Sequence, residues 1–432
     1  MAATRPSRHR SRGQSRPNPR SHRSGNPSPA PARPVAVAPV ESDNPFLALG
    51  VPEQLCGALA ASGITEPFPI QSATLPDSLT GRDVLGRGRT GSGKTLAFGL
   101  AVITRLSTLD IRCRPSRPRA LILAPTRELA LQIDATVAPL ARLMGLRTTT
   151  IFGGVGQNPQ VDALRRGVDI AIACPGRLED LIGQGHCRLD DVEISVLDEA
   201  DHMADLGFLP GVKRLLDRVP SDAQHLLFSA TLDKGVDVLV KRYLHDPVTH
   251  SVDSEQSPVQ TMTHHVLHVR TDDRVPVVVD LAAAPGRTII FTRTKHRAKQ
   301  LTKQLNSHGV RAVEMHGNLS QAARTRNLAE FSSGRAAALV ATDIAARGIH
   351  VDDVSLVVHA DPPIEHKAYL HRSGRTARAG AEGVVVTIAV ETQRREVEKL
   401  MKKAGISPTV TVARPDARIL SEIAPGQRLK AG

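Results

Sequence analysis

The run Gly88-Arg89-Thr90-Gly91-Ser92-Gly93-Lys94-Thr95 carries the most evident chemistry in this 432-residue chain. Glycines at this spacing let successive backbone N–H groups curl around an anion. The segment Leu96–Leu106 that follows has helical patterning, so a helix N-terminus would add a favourable dipole. A short apolar segment, Asp83–Gly86, precedes the loop and reads as a strand. Strand, glycine loop, lysine and hydroxyl in this order make a P-loop. Arg89, Thr90, Gly91, Ser92 and Gly93 would line the phosphates, Lys94 would reach the β- and γ-phosphates, and the Thr95 hydroxyl would ligate Mg²⁺. This spacing by itself says NTPase or kinase and nothing narrower.

About a hundred residues later the apolar segment Ile194–Leu197 runs into Asp198-Glu199-Ala200-Asp201. An Asp at the C-terminal end of a strand beside a P-loop strand is where the second Mg²⁺ contact belongs. Glu199 is placed to orient or deprotonate an attacking water, whereas a kinase would need a pocket for an acceptor hydroxyl.

The elements that must position these groups are short and nearly all apolar. Segments 120–124, 169–173, 194–197 and 225–228, then 288–291, 338–341, 354–358 and 383–390, read as buried parallel strands covered by helices on both faces. Segments 129–146 and 297–307 carry helical spacing between strands. A polar stretch around 251–264 separates two α/β halves, which places one domain at 44–250 and a second at 265–410, with a loose basic tail at 411–432. Residues 1–43 are Arg, Ser, Pro, Asn and Gly with almost no large apolar side chains, a composition expected to stay disordered.

The net charge of +13 owes most to eight arginines that precede the first acidic residue, Glu41. A polyanionic partner follows, and charge alone does not choose between nucleic acid and membrane. No apolar run approaches the ~20 residues that cross a bilayer, and the N-terminus lacks the apolar core of a secretory signal. Four cysteines without a C-x-x-C pair argue against a zinc knuckle or a disulfide framework and for a reducing, cytoplasmic setting.

Over residues 44–410 the chain resembles the DEAD-box RNA helicases. Asp198–Asp201 spells the family's name, and Ser229-Ala230-Thr231 matches the motif that couples hydrolysis to strand separation. Pro125-Thr126-Arg127-Glu128-Leu129-Ala130, Gly153-Gly154 and Pro175-Gly176-Arg177 resemble the first domain's RNA-backbone contacts. Phe46 and Gly63–Gln71 resemble the adenine-recognition element. In the second half, Gln321 to Arg324, Ala341-Thr342-Asp343, Ala346-Arg347-Gly348 and His371 to Arg378 complete the set in the family's order.

The resemblance implies two tandem RecA-like domains, ATP and Mg²⁺ as ligands, and RNA, single-stranded or in short duplexes, as the partner. It assigns phosphate and sugar contacts to Pro125, Thr126, Arg127, Gly153, Gly154, Pro175, Gly176, Arg177, Arg324 and Thr342. Such contacts read no sequence, so ribosomal particles and RNA-decay complexes are equally open as targets. Asp201, Ser229, Thr231 and His371 fall in coupling positions, and Gly348 and His350 near the ribose.

Residue chemistry agrees. The Gln71 amide offers one donor and one acceptor, a match to adenine rather than guanine, and Phe46 offers a ring to stack on the base. Arg375 and Arg378, three apart on one helix face, would reach the γ-phosphate only when the second domain closes on the first. Where the family usually carries Thr, Ile and Gly, this chain has Cys174, Ser373 and Ala377. Where it usually carries an Asp that helps hold the ribose, the chain has His350.

Overall fold

The structure is a computed structural model that describes residues 1–2, 35–88, 91–108, 113–252, 262–346, 351, 353–377 and 383–426. Seven strands form the first sheet: β1 Val84–Arg87, β2 Ala120–Leu123, β3 Thr148–Ile151, β4 Ile170–Ala173, β5 Ile194–Leu197, β6 Gln224–Ser229 and β7 Val248–Ser251. Seven more form the second: β8 Met262–Val269, β9 Arg287–Phe291, β10 Ala312–Met315, β11 Ala338–Ala341, β12 Val354–His359, β13 Gly383–Val390 and β14 Thr409–Val412. Every pairing within the two sheets is parallel. The strand orders are β3-β4-β2-β5-β6-β1-β7 and β10-β11-β9-β12-β13-β8-β14, so the second sheet repeats the first strand for strand.

Strands so short and so apolar form because both faces are covered. Ala120, Ile122, Ile170, Ile172, Ile194 and Val196 point into one core of the first domain. Leu121, Leu123, Ala171, Ala173 and Leu197 point into the other. The second domain divides in the same way, with Ile290, Val340 and Val358 on one face and Ile289, Phe291, Leu339 and Val357 on the other. A strand buried on both faces has no polar side to alternate with, which is why the sequence shows unbroken apolar runs.

Domain limits differ from the expected ones at three places. Val35 and Val40 pack against the first core, and the Ala38 N–H donates to the Gly57 carbonyl at 3.0 Å. A Cβ on Gly57 would lie 2.6 Å from the Ala38 carbonyl, so only glycine admits that approach. The first domain therefore takes in residues 35–43, which had been expected to belong to the tail; residues 3–34 lie outside the described residues. The second domain starts at Met262, inside the expected linker, of which 253–261 lie outside the described residues.

The expected loose C-terminal tail is instead part of the fold up to residue 426. β14 pairs with β8, and Ala413, Leu420, Ile423 and Ala424 are buried in the second core. The signal was weak because β14 is an exposed Thr-Val-Thr-Val edge and the helix Arg418–Ile423 has only six residues.

A buried polar cluster fixes the helix His366–Ser373 to the second sheet. His264 Nδ1 lies 2.7 Å from the Tyr369 hydroxyl. His359 meets the Tyr369 ring edge-on at 4.8 Å between centroids, and its Nδ1 is 3.2 Å from Thr387 Oγ1. Burial, with the His265 ring beside it, pushes His264 down to about 4. Burial, with Arg372 and His264 nearby, pushes His359 well below the ordinary histidine value.

Both imidazoles are thus neutral in the fold and take up protons once exposed, near pH ~6.5. Their contribution is whole above that value and is lost as pH falls from about 6.5 towards 4, by up to ~1.4 kcal/mol per pH unit for each ring. Calorimetric unfolding of the full chain between pH 7 and 5 should show Tm falling. His359→Asn, which keeps a hydrogen-bonding amide but cannot titrate, should flatten that slope; an unaltered slope would place the acid sensitivity elsewhere.

Candidate functional site

Phe46 and Gly63–Gln71 lie among the helices that precede β1. Most of the expected motifs follow strands, at the C-terminal edges of the two sheets, where ligands of open parallel sheets bind. In the first sheet they sort by strand order. The P-loop follows β1, Asp198 follows β5 and Ser229 ends β6, and these three strands are neighbours. Pro125, Gly153 and Pro175 follow β2, β3 and β4, which are neighbours on the other half.

On the β1–β6–β5 half, Gly91 and Gly93 take φ values of 88° and 90°, in the left-handed region that glycine tolerates. The Lys94 ammonium, 8% exposed, donates to the Gly88 carbonyl at 2.6 Å and so folds back over the loop. The buried Ser92 hydroxyl has no hydrogen-bond partner among the described residues. A hydroxyl stranded inside a glycine loop suits a phosphate oxygen.

Asp198 is 3% exposed. Burial, with Glu199 adding to it against the pull of Lys94, raises its carboxyl to about 7. A divalent cation held between this carboxylate and the Thr95 hydroxyl would reverse that shift, so the donor set is one that Mg²⁺ fits.

Glu199 sits at φ 50°, ψ 52°, a left-handed conformation that costs a non-glycine residue energy and re-aims its side chain. His202 Nδ1 lies 2.9 Å from Glu199 Oε2 and holds the carboxylate. Asp201 Oδ2 accepts from both the N–H and the hydroxyl of Thr231, at 3.0 and 2.9 Å. Ser229 Oγ donates to the Thr231 carbonyl at 2.7 Å and accepts from the Asp201 N–H at 3.3 Å. The two motifs are therefore locked together.

On the β3–β4–β2 half, the Thr126 hydroxyl caps the helix Arg127–Leu143, and Arg127 lies against Gly154, where a Cβ would come within 2.1 Å of its Nη1. The Arg177 guanidinium donates to the Val155 carbonyl at 3.3 Å. Several contacts join this domain to the second, among them Arg127 Nη1 donating to Gln321 Oε1 at 3.3 Å. Glu128 Oε1 accepts from Arg324 Nε at 2.7 Å and from Gln321 Nε2 at 3.2 Å. Lys367 Nζ donates to Asp233 Oδ2 at 2.7 Å, and Asp233 also caps the helix Lys234–Tyr243.

Comparison with known proteins identifies the architecture. The DEAD/DEAH box helicase model matches residues 68–239 and the helicase conserved C-terminal domain model matches residues 273–380. The ATP-dependent RNA helicase RhlB of Haemophilus influenzae is 38% identical over 394 residues, 90% of this chain and 94% of that protein. This chain belongs to the DEAD-box helicase family.

Among other relatives of this DEAD-box chain, the chloroplastic DEAD-box ATP-dependent RNA helicase 3B of Zea mays is 40% identical over 84% of the chain, which spans only 50% of that longer protein. Among solved structures, S. cerevisiae Dbp5 bound to RNA and ADP BeF3 superposes with a TM-score of 0.75 at 28% identity, covering 88% of this chain and 99% of that one. Mss116p bound to ssRNA and AMP-PNP gives 0.74 at 26% identity, covering 88% and 82%. The fold is thus two tandem RecA-like domains.

Several DEAD-box residues stand where the sequence put them and several do not. Phe46 is fully buried in the first core and presents no face for a base to stack on, so its expected role is corrected to packing. Arg324 is buried in the pair with Glu128 and also donates to the His316 and Ala345 carbonyls, so it ties the two domains together rather than standing open to a phosphate. Arg375 is 6% exposed and, with His371 and Asp343, lines a small cavity beside Phe291. Thr342 follows β11, and its N–H donates to the Met315 carbonyl.

Ala377, where the family usually has Gly, takes φ 53°, the conformation that favours glycine. Arg89, Thr90, Gly348, His350 and Arg378 lie outside the described residues. Sequence reasoning missed His202, Asp233 and Lys367. The spacing of His202 three residues after Glu199 on a helix was the one available signal.

Burial works to raise the Glu128 carboxyl, and the Arg324 hydrogen bond and charge overcome it, leaving the group below the usual range. Removing either partner strands the other charge, at a cost of about 3–5 kcal/mol. Glu128→Gln and Arg324→Gln should each lengthen the distance between fluorophores placed on the two domains. The double variant should be no worse than either single one; additive losses would mean the two side chains act separately.

Proposed function

We propose that this chain is an ATP-dependent RNA helicase that grips RNA without reading its sequence and separates short duplexes, or remodels RNA–protein complexes, as ATP is hydrolysed. What supports this most directly is the division of one sheet edge into a phosphate half and a backbone-binding half, each tied to the second domain by its own contact. The likeness to two family members solved with RNA and a nucleotide analogue supports reading this arrangement as the closed state. The four cysteines are all free thiols, which suits the reducing, cytoplasmic setting we infer.

In this reading the P-loop and Lys94 hold the ATP phosphates, and Gln71 reads the adenine edge. Mg²⁺, held by Thr95 and Asp198, would neutralise charge on the phosphate oxygens. Glu199, steadied by His202, aligns a water and takes its proton. Arg375, with Arg378, meets the charge that develops on the γ-phosphate once the domains close, a role worth ~10³–10⁵ in rate.

RNA lies across Thr126, Arg127, Gly153, Gly154, Pro175, Gly176 and Arg177 of one domain and Thr342 of the other. Contacts to 2′-hydroxyls would favour RNA over DNA. Closure bends one strand out of duplex geometry, and loss of the γ-phosphate lets the domains part.

Glu199→Gln should cut turnover by about 10²–10⁴ while keeping ATP binding and slowing RNA release, and Lys94→Ala should lose ATP binding. Strand-displacement assays on RNA and DNA duplexes test the substrate. ATP-dependent RNA retention without displacement would make the chain an RNA clamp, and normal turnover in Glu199→Gln would refute the catalytic assignment.

The arginine-rich segment that ends at Pro34 is inferred to add RNA affinity through phosphates. Each arginine that neutralises a phosphate contributes ~0.7 to the slope of log K against log salt for single strands. Deleting residues 1–34, which spares Val35 and Val40, should weaken RNA binding and flatten that slope. If the slope is unchanged, the segment does not touch RNA.

A further inference from the structure

Outside the arginine-rich N-terminus the charges of the chain nearly balance, but they are not evenly spread. Between Asp280 and Glu314 there is no acidic residue, while seven residues are Lys or Arg. Four of the seven fall on the helix Lys295–Ser307, which leads from the end of β9 to the start of β10. Thr294 caps this helix by accepting from the Arg297 N–H, and Ala298, Leu301, Thr302 and Leu305 are buried along its inner side. An outward row, one turn apart, carries Lys295, Lys299 and Lys303, all exposed.

Residues four apart on a helix are neighbours, and like charges at that spacing weaken it. Elsewhere on this molecule the same spacing pairs opposite charges, Asp237 with Lys241 and Arg418 with Glu422. Lys299 and Lys303 form no ion pair among the described residues. A row of one sign that costs helix stability calls for a polyanion from outside the fold. Its position says which. Lys295 Nζ donates to Asn318 Oδ1 at 3.1 Å. Two residues on, Ser320 caps the helix Gln321–Ser332, and Gln321 accepts from Arg127 and donates to Glu128. The row thus starts beside the half of the cleft expected to hold RNA. From Lys295, Lys299 and then Lys303 step away along the helix axis by about 6 Å each, back towards the N-terminal edge of the sheet.

We propose that Lys299 and Lys303, continuing from Lys295, bind the phosphates of the RNA strand where it leaves the cleft, a surface outside every motif named above. The inference rests on the RNA-binding reading and extends it to a longer strand. Lysine suits the task, because a flexible point charge neutralises a phosphate without fixing its geometry or reading a base. A straight row along one helix matches one continuous backbone, so the occupant is a single flanking strand. Such an anchor keeps that strand on the second domain when hydrolysis lets the domains part. Opening of the cleft then need not mean loss of the substrate.

Oligouridylates of graded length, bound to the full chain, test this. Affinity should rise once the strand outgrows the cleft. Lys299→Gln with Lys303→Gln should remove that gain while binding the shortest strands as the parent does. On a long strand the slope of log K against log salt should become shallower by roughly 1.4, two lysines at ~0.7 each. Lys402→Gln with Lys403→Gln, an equal loss of charge at the end of the helix Arg394–Ala404, should leave gain and slope in place. If the Lys299 and Lys303 variant keeps both, or the Lys402 and Lys403 variant loses as much, the proposal is wrong. If the parent binds short strands but gains nothing with length, this proposal alone falls. If the parent binds no RNA at all, the RNA-binding reading fails first and takes this one with it.

Discussion

The ion pair between Glu128 and Arg324 joins the two domains by placing opposite charges, both largely buried, against each other. Two charges taken from water are stable only with good geometry and further hydrogen bonds. Gln321 and the His316 and Ala345 carbonyls supply those bonds. A partly open cleft would keep the desolvation cost while losing the contact, so intermediate openings are disfavoured. The pair turns the joint between domains into something close to a two-position device. Its placement matters as well, since Glu128 adjoins Arg127 in the first turn of the helix Arg127–Leu143, within the segment expected to touch RNA.

Another interdomain contact lies at the phosphate half, and a short chain of hydrogen bonds leads to it. Asp201 binds Thr231, and two residues further on Asp233 receives Lys367. Lys367 shares the helix His366–Ser373 with His371, and Arg375 follows just beyond. Any shift of Asp201 against Asp198 and Glu199 is therefore passed within a few residues to the helix that leads to Arg375. Packed side chains with discrete partners transmit such shifts because they have few alternative arrangements.

Much of this was legible beforehand, for reasons that differ by element. β5, β11 and β13 have the bounds expected from apolar runs, because strands buried on both faces announce themselves by composition alone. β3, β7, β8, β10 and β14 were not foreseen. All but β8 are edge strands carrying Thr, His, Glu and exposed Val, where one side faces water and burial imposes no pattern. β8 is interrupted by three histidines and begins inside the expected linker. The P-loop and the Asp198–Asp201 run were legible because phosphate chemistry fixes both residue type and spacing. Phe46 and Arg324 were located correctly within their motifs, yet burial and partner, which no spacing encodes, gave them other tasks. Lys367 and Asp233 lie more than a hundred residues apart, and only folding brings them together.

The strand order also dictates when each domain can be completed during synthesis. β1, which carries the P-loop, pairs only with β6 and β7, and both are made well over a hundred residues later. At ribosomal speeds of ~5–20 residues per second, that leaves the segment without sheet partners for on the order of ten seconds. The same wait recurs in the second domain, where β8 must await β13 and β14. A nascent chain of this topology is thus exposed twice to misfolding. The strand that leads into the P-loop has no sheet partner until β6 has been made, so a site built on that sheet edge is completed late in the synthesis of the first domain.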